Sequence, residues 1–253
     1  MSLELIALEG FPLVEPGDDL ATLICDCMAS AGIKLQPGDL LVLAQKIVSK
    51  SENRYAYLND IEPGEKAVAL AQQVHKDPRE VELILSESRG VVRQRPGVLI
   101  VEHRRGYVHA NAGIDKSNIT ADSNNPRVLL LPENADRSAK MLRAALEQKT
   151  GVAPHIIIND SAGRAWRMGT QGFALGTAGF QPLVDKVGSC DLFGRPLQVT
   201  EIAVADELAA AASFLMGQAD EGIPVVLIRG ARLIPAETGS ESLIRPEAED
   251  LFR

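Results

Sequence analysis

Cysteine is scarce in this chain. There are three, Cys25, Cys27 and Cys190, and no CxxC pair. An odd count without that spacing argues against a disulfide framework and against a zinc site. Cys25 and Cys27 form a CxC pair in a predicted helix, where positions i and i+2 point apart. Packing is the expected role of all three, and a reducing cytoplasm the expected setting. Histidine is also sparse: the four histidines, at 75, 103, 109 and 155, are scattered, and HExxH is absent. A histidine-based zinc centre is excluded on that pattern. Positive charge is in deficit, with a net charge of −8, so a general nucleic-acid binder is excluded for want of a basic surface. No run approaches the roughly 20 apolar residues of a membrane span. The amino terminus lacks the basic start and apolar block of a secretory signal. GxxxxGK[ST], GxGxxG after a strand, and GxSxG are all missing. What is present is ordinary globular composition, 45% apolar and 24% charged over 253 residues. That length buries a full core, as one large domain or two small ones.

Periodicity places a strand at Leu3 to Leu8 and a helix from Pro16-Gly17-Asp18-Asp19 to about Ser30, its acidic start suiting the helix dipole. A second strand is predicted from Leu40 to Val48, ending in Ser49-Lys50. Amphipathic helices follow at Gly64 to His75 and Arg79 to Glu87. Val98 to Glu102 and Tyr107 to Ala110 read as a hairpin. Ala135 to Lys149 is a helix, His155 to Ile158 a buried strand, Ala203 to Met216 an alanine-rich helix, and Pro224 to Ile228 a last strand. Beyond Arg232 the polar, acidic tail is expected to be loosely attached. Strands and helices mix without a βαβ rhythm, so the expected class is α+β. A boundary is placed at 122–126, where a surface loop is the alternative.

Three polar clusters carry the chemistry. Asp160-Ser161 follows the strand at 155–158 and opens a glycine-rich loop. A carboxylate beside a hydroxyl suits a hard divalent ion, and Arg164 and Arg167 suit phosphate or carboxylate oxygens. Lys50, past the second strand, either meets a nucleotide phosphate or is simply solvated. Asp115 and Asn118 either supply oxygen ligands or form a polar turn. Gly169, Gly172, Gly176 and Gly179 crowd one segment with no fingerprint spacing, which favours a structural role. Separately, Arg89, Arg93, Arg95, Arg104 and Arg105 crowd one region. Alternation around Val91 and Val92 puts several on one face. They form an anion site, or a surface paired with Glu87 and Glu102.

Taken together, the blocks resemble one family. They are Gly38-Asp39-Leu40, Ala44 to Lys50, Arg95-Pro96-Gly97-Val98-Leu99-Ile100 and Asn111-Ala112-Gly113-Ile114-Asp115-Lys116-Ser117-Asn118. Asp160-Ser161-Ala162-Gly163-Arg164-Ala165-Trp166-Arg167, Asp191 to Leu197, Val204 to Leu208 and Met216-Gly217 complete the set. Over about residues 5 to 230 the chain resembles the coenzyme F420-0:L-glutamate ligases, which build the γ-linked glutamate tail of a deazaflavin coenzyme.

The resemblance implies a mixed-sheet α+β fold working as an intertwined homodimer, with the ligase domain over 1–232 and a tail over 233–253. It implies GTP-dependent amide bond formation between L-glutamate and F420-0 through an acyl phosphate. Two divalent ions, Mg²⁺ or Mn²⁺, are implied, with K⁺ as an optional third. By motif, Asp115 and Asp160 would hold one metal, and Ser161 and Gln218 would contact the second. Phe11, Pro12, Leu13, Val14, Gln45, Lys50, Asn118, Met216 and Gly217 would hold GTP. Arg89, Arg93, Arg95, Arg164 and Arg167 are the candidates for the substrate's anionic groups. No catalytic base is assigned. Ala162 stands where many relatives have an aromatic residue, and Ala165 where they have proline, which would reshape the acceptor pocket. The chain stops at 253, so no flavin-binding carboxy-terminal domain is expected. The alternatives are a related amide ligase acting on another phosphorylated carboxylate, and a non-catalytic GTP-binding module.

Overall fold

The computed structural model describes residues 2–120 and 124–251. The first half holds β1 (Glu4–Ala7), α1 (Leu20–Ser30), β2 (Leu40–Ala44), α2 (Gln45–Ser51), β3 (Tyr55–Tyr57), α3 (Glu65–Val74), α4 (Pro78–Ser86), β4 (Ser88–Arg95), β5 (Val98–His103) and β6 (Val108–Ala110). The second half holds β7 (Arg127–Leu129), α5 (Ala135–Thr150), β8 (His155–Arg164), β9 (Arg167–Ala178), β10 (Val184–Asp185), β11 (Glu201–Ile202), α6 (Val204–Met216) and β12 (Val225–Arg229). The main sheet runs β1-β12-β2-β8-β9. Only β2 and β8 pair in parallel; the other three pairings are antiparallel. The class is therefore α+β with mixed sheets, as expected.

Leu40–Ala44 of β2, residues 156–158 of β8 and residues 225–228 of β12 are continuous apolar runs because the sheet is covered on both faces. Leu41, Leu43, Ile156, Ile158, Val225 and Leu227 point into one core with α1 and α5. Leu40, Val42, Ile157, Val226 and Ile228 point into the other, against the alanine face of α6. The glycine crowding lets these helices seat directly on β9. A Cβ at Gly176 would lie 2.3 Å from the Ala135 carbonyl carbon, and one at Gly172 2.5 Å from Ser213 Cβ. Helix α1 starts at Asp19, whose carboxylate accepts from the Ala21 and Thr22 amides. The β4-β5-β6 sheet packs with α3 and α4 around Leu70, Val81, Ile84, Leu99 and Val101. Among the described residues, no helix is long and apolar enough to cross a membrane.

Four expectations need correction. The apolar run from Leu40 is not one strand: β2 ends at Ala44 and the chain turns into α2. The neighbouring strand runs out there, since Ala44 already bonds to the Pro224 carbonyl beyond β12. Lys50 therefore sits on a helix. Second, Asp160 and Ser161 are not in a loop. They lie within β8, which runs on to Arg164 because β9 pairs with it, Asp160 opposite Phe173 and Ser161 opposite Gly172. Third, the tail is docked as far as residue 244. Ser240 is buried, its hydroxyl donating to the Leu175 carbonyl and its amide to Asp136, and Leu243 joins the α6 core. Fourth, Cys190 is exposed, while Cys27 is buried and Cys25 half-buried. Of the boundary placed at 122–126, residues 122 and 123 lie outside the described residues. Asn124 and Pro126 bond to Asn59 and Leu58.

Candidate active site

Beyond Ala44 and Asn159 the parallel neighbours β2 and β8 separate, because β2 turns into α2 while β8 continues. A cleft of ≈ 740 Å³ opens at those carboxyl ends. That is where open sheets place their ligands, and the volume suits a nucleotide-sized molecule.

Four segments wall it. Helix α2 supplies Gln45, Lys46 and Lys50, the two lysines one turn apart and so on one face. The loop after β6 supplies Asp115, Ser117 and Asn118, β8 supplies Asn159, Asp160 and Ser161, and the segment after α6 supplies Gly217, Gln218 and Glu221. Phe11, Pro12, Leu13 and Val14 line the remaining side. All of the expected metal and GTP residues thus meet in one cleft.

The loop after β6 is fixed by unusual backbone. Asn111, Ala112 and Asn118 have φ of 52°, 55° and 55°, a left-handed conformation that costs free energy for residues with a Cβ. The Asp115 backbone is clamped to Leu129 by two hydrogen bonds of 3.0 and 2.9 Å. Its carboxylate accepts from the Ser117 amide at 2.7 Å and pairs with Lys46 Nζ at 2.8 Å. Burial works against that charge, but Lys46 and Ser117 outweigh it and hold the carboxyl below its ordinary range. Lys50 Nζ donates to the Asn118 carbonyl at 2.8 Å, and burial pulls its pKa down. Asn118 Nδ2 reaches the Ala219 carbonyl at 3.1 Å, which joins this loop to the one after α6. Gln218 Nε2 donates to Ser213 Oγ at 3.0 Å, leaving its carbonyl oxygen free of that bond. Gln45 is buried and accepts from Ser49 at 2.8 Å.

Sequence reasoning passed over three residues. His109, dismissed as one of four scattered histidines, is buried with Nε2 3.2 Å from Asp160 Oδ2, though off the axis of a hydrogen bond. Its Nδ1 faces the Ala110 carbonyl at 2.9 Å. Burial opposes its protonation, yet the Asp160 carboxylate raises its pKa. The signal exists only in three dimensions, in the β5–β6 register beside β8. In the sequence Lys46 stands out only as part of a motif. Asn159, beside Asp160, is buried, and its Oδ1 has no hydrogen-bond partner among the described residues.

The arginine candidates stand elsewhere. None of Arg89, Arg93, Arg95, Arg164 and Arg167 lines the cleft. Arg89 pairs with Glu102 at 3.2 Å, the surface pairing offered as the alternative, whereas Arg104 pairs at 3.1 Å with Glu87, which is buried rather than solvated. Register shifts between Ser88 and Gly90 and between Val91 and Arg93 interrupt the alternation along β4. Arg164 donates to Gln171 at 2.6 Å within its own hairpin.

The electrostatics state what the cleft can hold. Among the described residues that line the cleft, Glu15, Asp115, Asp160, Asp220 and Glu221 face only Lys46 and Lys50 as formal cations. A polyphosphate would enter such a lining with cations as companions. Among the described residues, no three His, Cys, Asp or Glu side chains form a ready-made metal cage. Asp115 and Asp160 with the Ser161 hydroxyl and the Gln218 amide fit the other kind of site, where one or two carboxylates share a hard cation with ligand phosphates.

A family profile described as F420-0:Gamma-glutamyl ligase matches residues 10–230. Over 255 residues the chain is 44% identical to the coenzyme F420:L-glutamate ligase of Methanothermobacter thermautotrophicus, covering 100% of both chains. The protein of the same name from Methanocaldococcus jannaschii is 41% identical, with 99% of this chain and 97% of that one covered. That from Archaeoglobus fulgidus is 40% identical, with 100% and 97% covered.

Proposed function

The chain belongs to the F420-0:gamma-glutamyl ligase family, and from that membership we propose that it joins L-glutamate to the deazaflavin precursor F420-0 at the expense of GTP. The observation that carries this reading is the convergence of Asp115, Asp160, Ser161, Gln218, Lys46 and Lys50 on one nucleotide-sized cleft.

A carboxylate does not condense with an amine in water without activation. Transfer of the GTP γ-phosphoryl group to the substrate carboxylate gives GDP and an acyl phosphate. The glutamate amine then attacks the acyl carbon, the amide bond forms, and inorganic phosphate leaves with the electron pair of the broken C–O bond. Lys50 and Lys46 hold phosphate oxygens as compact point charges. Phe11 to Val14 and the segment from Met216 flank the nucleotide, and Asn118 ties two of the binding loops together. Asp115, Asp160, Ser161 and Gln218 would hold two Mg²⁺ or Mn²⁺ ions, which would supply charge neutralisation at the phosphates. An acyl phosphate is reactive enough for alignment of the amine, rather than a strong base, to carry the second step.

The working unit on this reading is a homodimer. It is supported by large apolar side chains left in solvent on projecting segments: Trp166 and Met168 at the β8–β9 tip, and Leu192 and Phe193 between β10 and β11. Phosphate release tests the reaction. It should require GTP, divalent metal, glutamate and F420-0 together. GTP binding with no release in the complete mixture would leave a non-catalytic GTP-binding module, and release with another phosphorylated acceptor in place of F420-0 would point to a related amide ligase.

A further inference from the structure

Lys46 is already engaged. Its ammonium lies 2.8 Å from Asp115 Oδ2 and 2.6 Å from Ser117 Oγ. Asp115 in turn has a donor on each oxygen: the Ser117 amide on Oδ1 at 2.7 Å, and Lys46 with the Ser117 hydroxyl, at 3.2 Å, on Oδ2. The carboxylate assigned to the metal therefore already carries a resident cation. A divalent ion on the same carboxylate would repel that ammonium at such range. Neither backbone can retreat, since Asp115 is clamped to Leu129 and α2 is anchored by buried Ile47 and Val48. Only the flexible lysine stem can move, and the cleft it would swing into is short of cations.

We propose that Lys46 is the counter-ion of Asp115 in the nucleotide-free protein, that it passes Asp115 to the divalent ion and turns to the nucleotide's phosphates, and that this exchange couples the binding of the two ligands. The inference rests on the metal and nucleotide assignments above and adds what they do not contain. Metal entry frees a cation for the phosphates, and phosphate entry draws away the cation that blocks the metal. Such coupling is reciprocal by thermodynamic necessity.

The test uses Mn²⁺ alone, followed by electron paramagnetic resonance, and a fluorescent GTP analogue in EDTA, each titrated into the full chain. Lys46→Met should bind nucleotide-free Mn²⁺ more tightly than the unaltered protein, by about 5-fold or more, the lower end of ordinary coupling factors. The same variant should bind the metal-free nucleotide more weakly. Lys46→Gln should behave likewise and covers a folding defect in the first variant. Lys50→Met removes the same charge from the same helix face, but its ammonium rests on a backbone carbonyl rather than on Asp115. It should raise Mn²⁺ affinity far less. Asp115→Asn should lose Mn²⁺. Unchanged or weaker Mn²⁺ binding in both Lys46 variants, or an equal gain in Lys50→Met, would overturn the exchange. Full Mn²⁺ binding by Asp115→Asn would instead remove the metal assignment beneath it.

Discussion

Gly172→Ala should damage activity far more than stability. The added methyl would sit 2.5 Å from Ser213 Cβ, 2.6 Å from the Ala209 carbonyl oxygen and 2.6 Å from Asn159 Oδ1. Two of those atoms belong to the rigid part of α6, so the helix must withdraw by about 1 Å to restore ordinary contact. The face that must withdraw is tightly packed, since Ala205, Ala209 and Ala212 are all buried against the sheet. Overpacking of this kind costs about 1–3 kcal/mol. For a chain of this size that lowers Tm by roughly 2–12 °C. The functional loss is larger because the displaced atoms belong to the cleft. Ser213 holds Gln218, Asn159 adjoins Asp160, and Gly172 itself pairs with Ser161. A misplacement of about 1 Å can cost on the order of 100-fold in turnover. Gly163→Ala on the same hairpin is the control, since its methyl meets nothing within 4 Å. Thermal melts and steady-state phosphate release, run together, decide the matter. Gly172→Ala with unaltered turnover would show that α6 does not position the site.

Asp160→Asn should fold and melt normally but lose ligation, because the amide keeps the shape of a carboxylate and not its charge. Near-normal turnover at saturating metal would take Asp160 out of the metal's coordination. Lys50→Ala should weaken GTP more than glutamate, by roughly 10- to 150-fold for a charged hydrogen bond of about 1.5–3 kcal/mol. Equal GTP affinity in a calorimetric titration would return Lys50 to a loop-bracing role on Asn118. Asp19→Ala should cost about 1 kcal/mol at neutral pH, as loss of a helix cap does. The Thr22 hydroxyl and amide and Lys149 hold the Asp19 carboxyl down at about 2. A depressed carboxylate stabilises above its unfolded pKa and loses that contribution as pH falls through the folded one. Asp19→Asn should therefore flatten the melting-temperature profile between about pH 4 and pH 2, and an unchanged acid limb would refute the pairing. Light scattering at micromolar concentration should give the mass of two chains, and an active single chain would count against the dimer.

The parts of the fold written in local periodicity were legible. The helices at 20–30, 65–74, 78–86, 135–150 and 204–216 and the central strands fell close to their observed bounds. What failed was governed by partners far along the chain. Whether Leu40 to Val48 continues as a strand depends on where β12 stops, and whether Asp160 lies in a loop depends on β9. Neither condition is visible in a window of ten residues. The site residues were legible as chemical types and through the resemblance, which is how Asp115, Asp160, Ser161 and Gln218 were brought together. Their partners were not. Lys46 meets Ser117 across 71 positions, and the nearness of His109 to Asp160 follows from packing between two sheets.

The central claim is that this cleft forms an amide bond. Mass spectrometry of the deazaflavin after incubation with the purified protein, L-glutamate, GTP and Mn²⁺ or Mg²⁺ tests it most directly. The expected product is heavier than F420-0 by one or more glutamyl residues, with one GDP formed for each. A deazaflavin of unchanged mass in the presence of bound GTP and metal would contradict it.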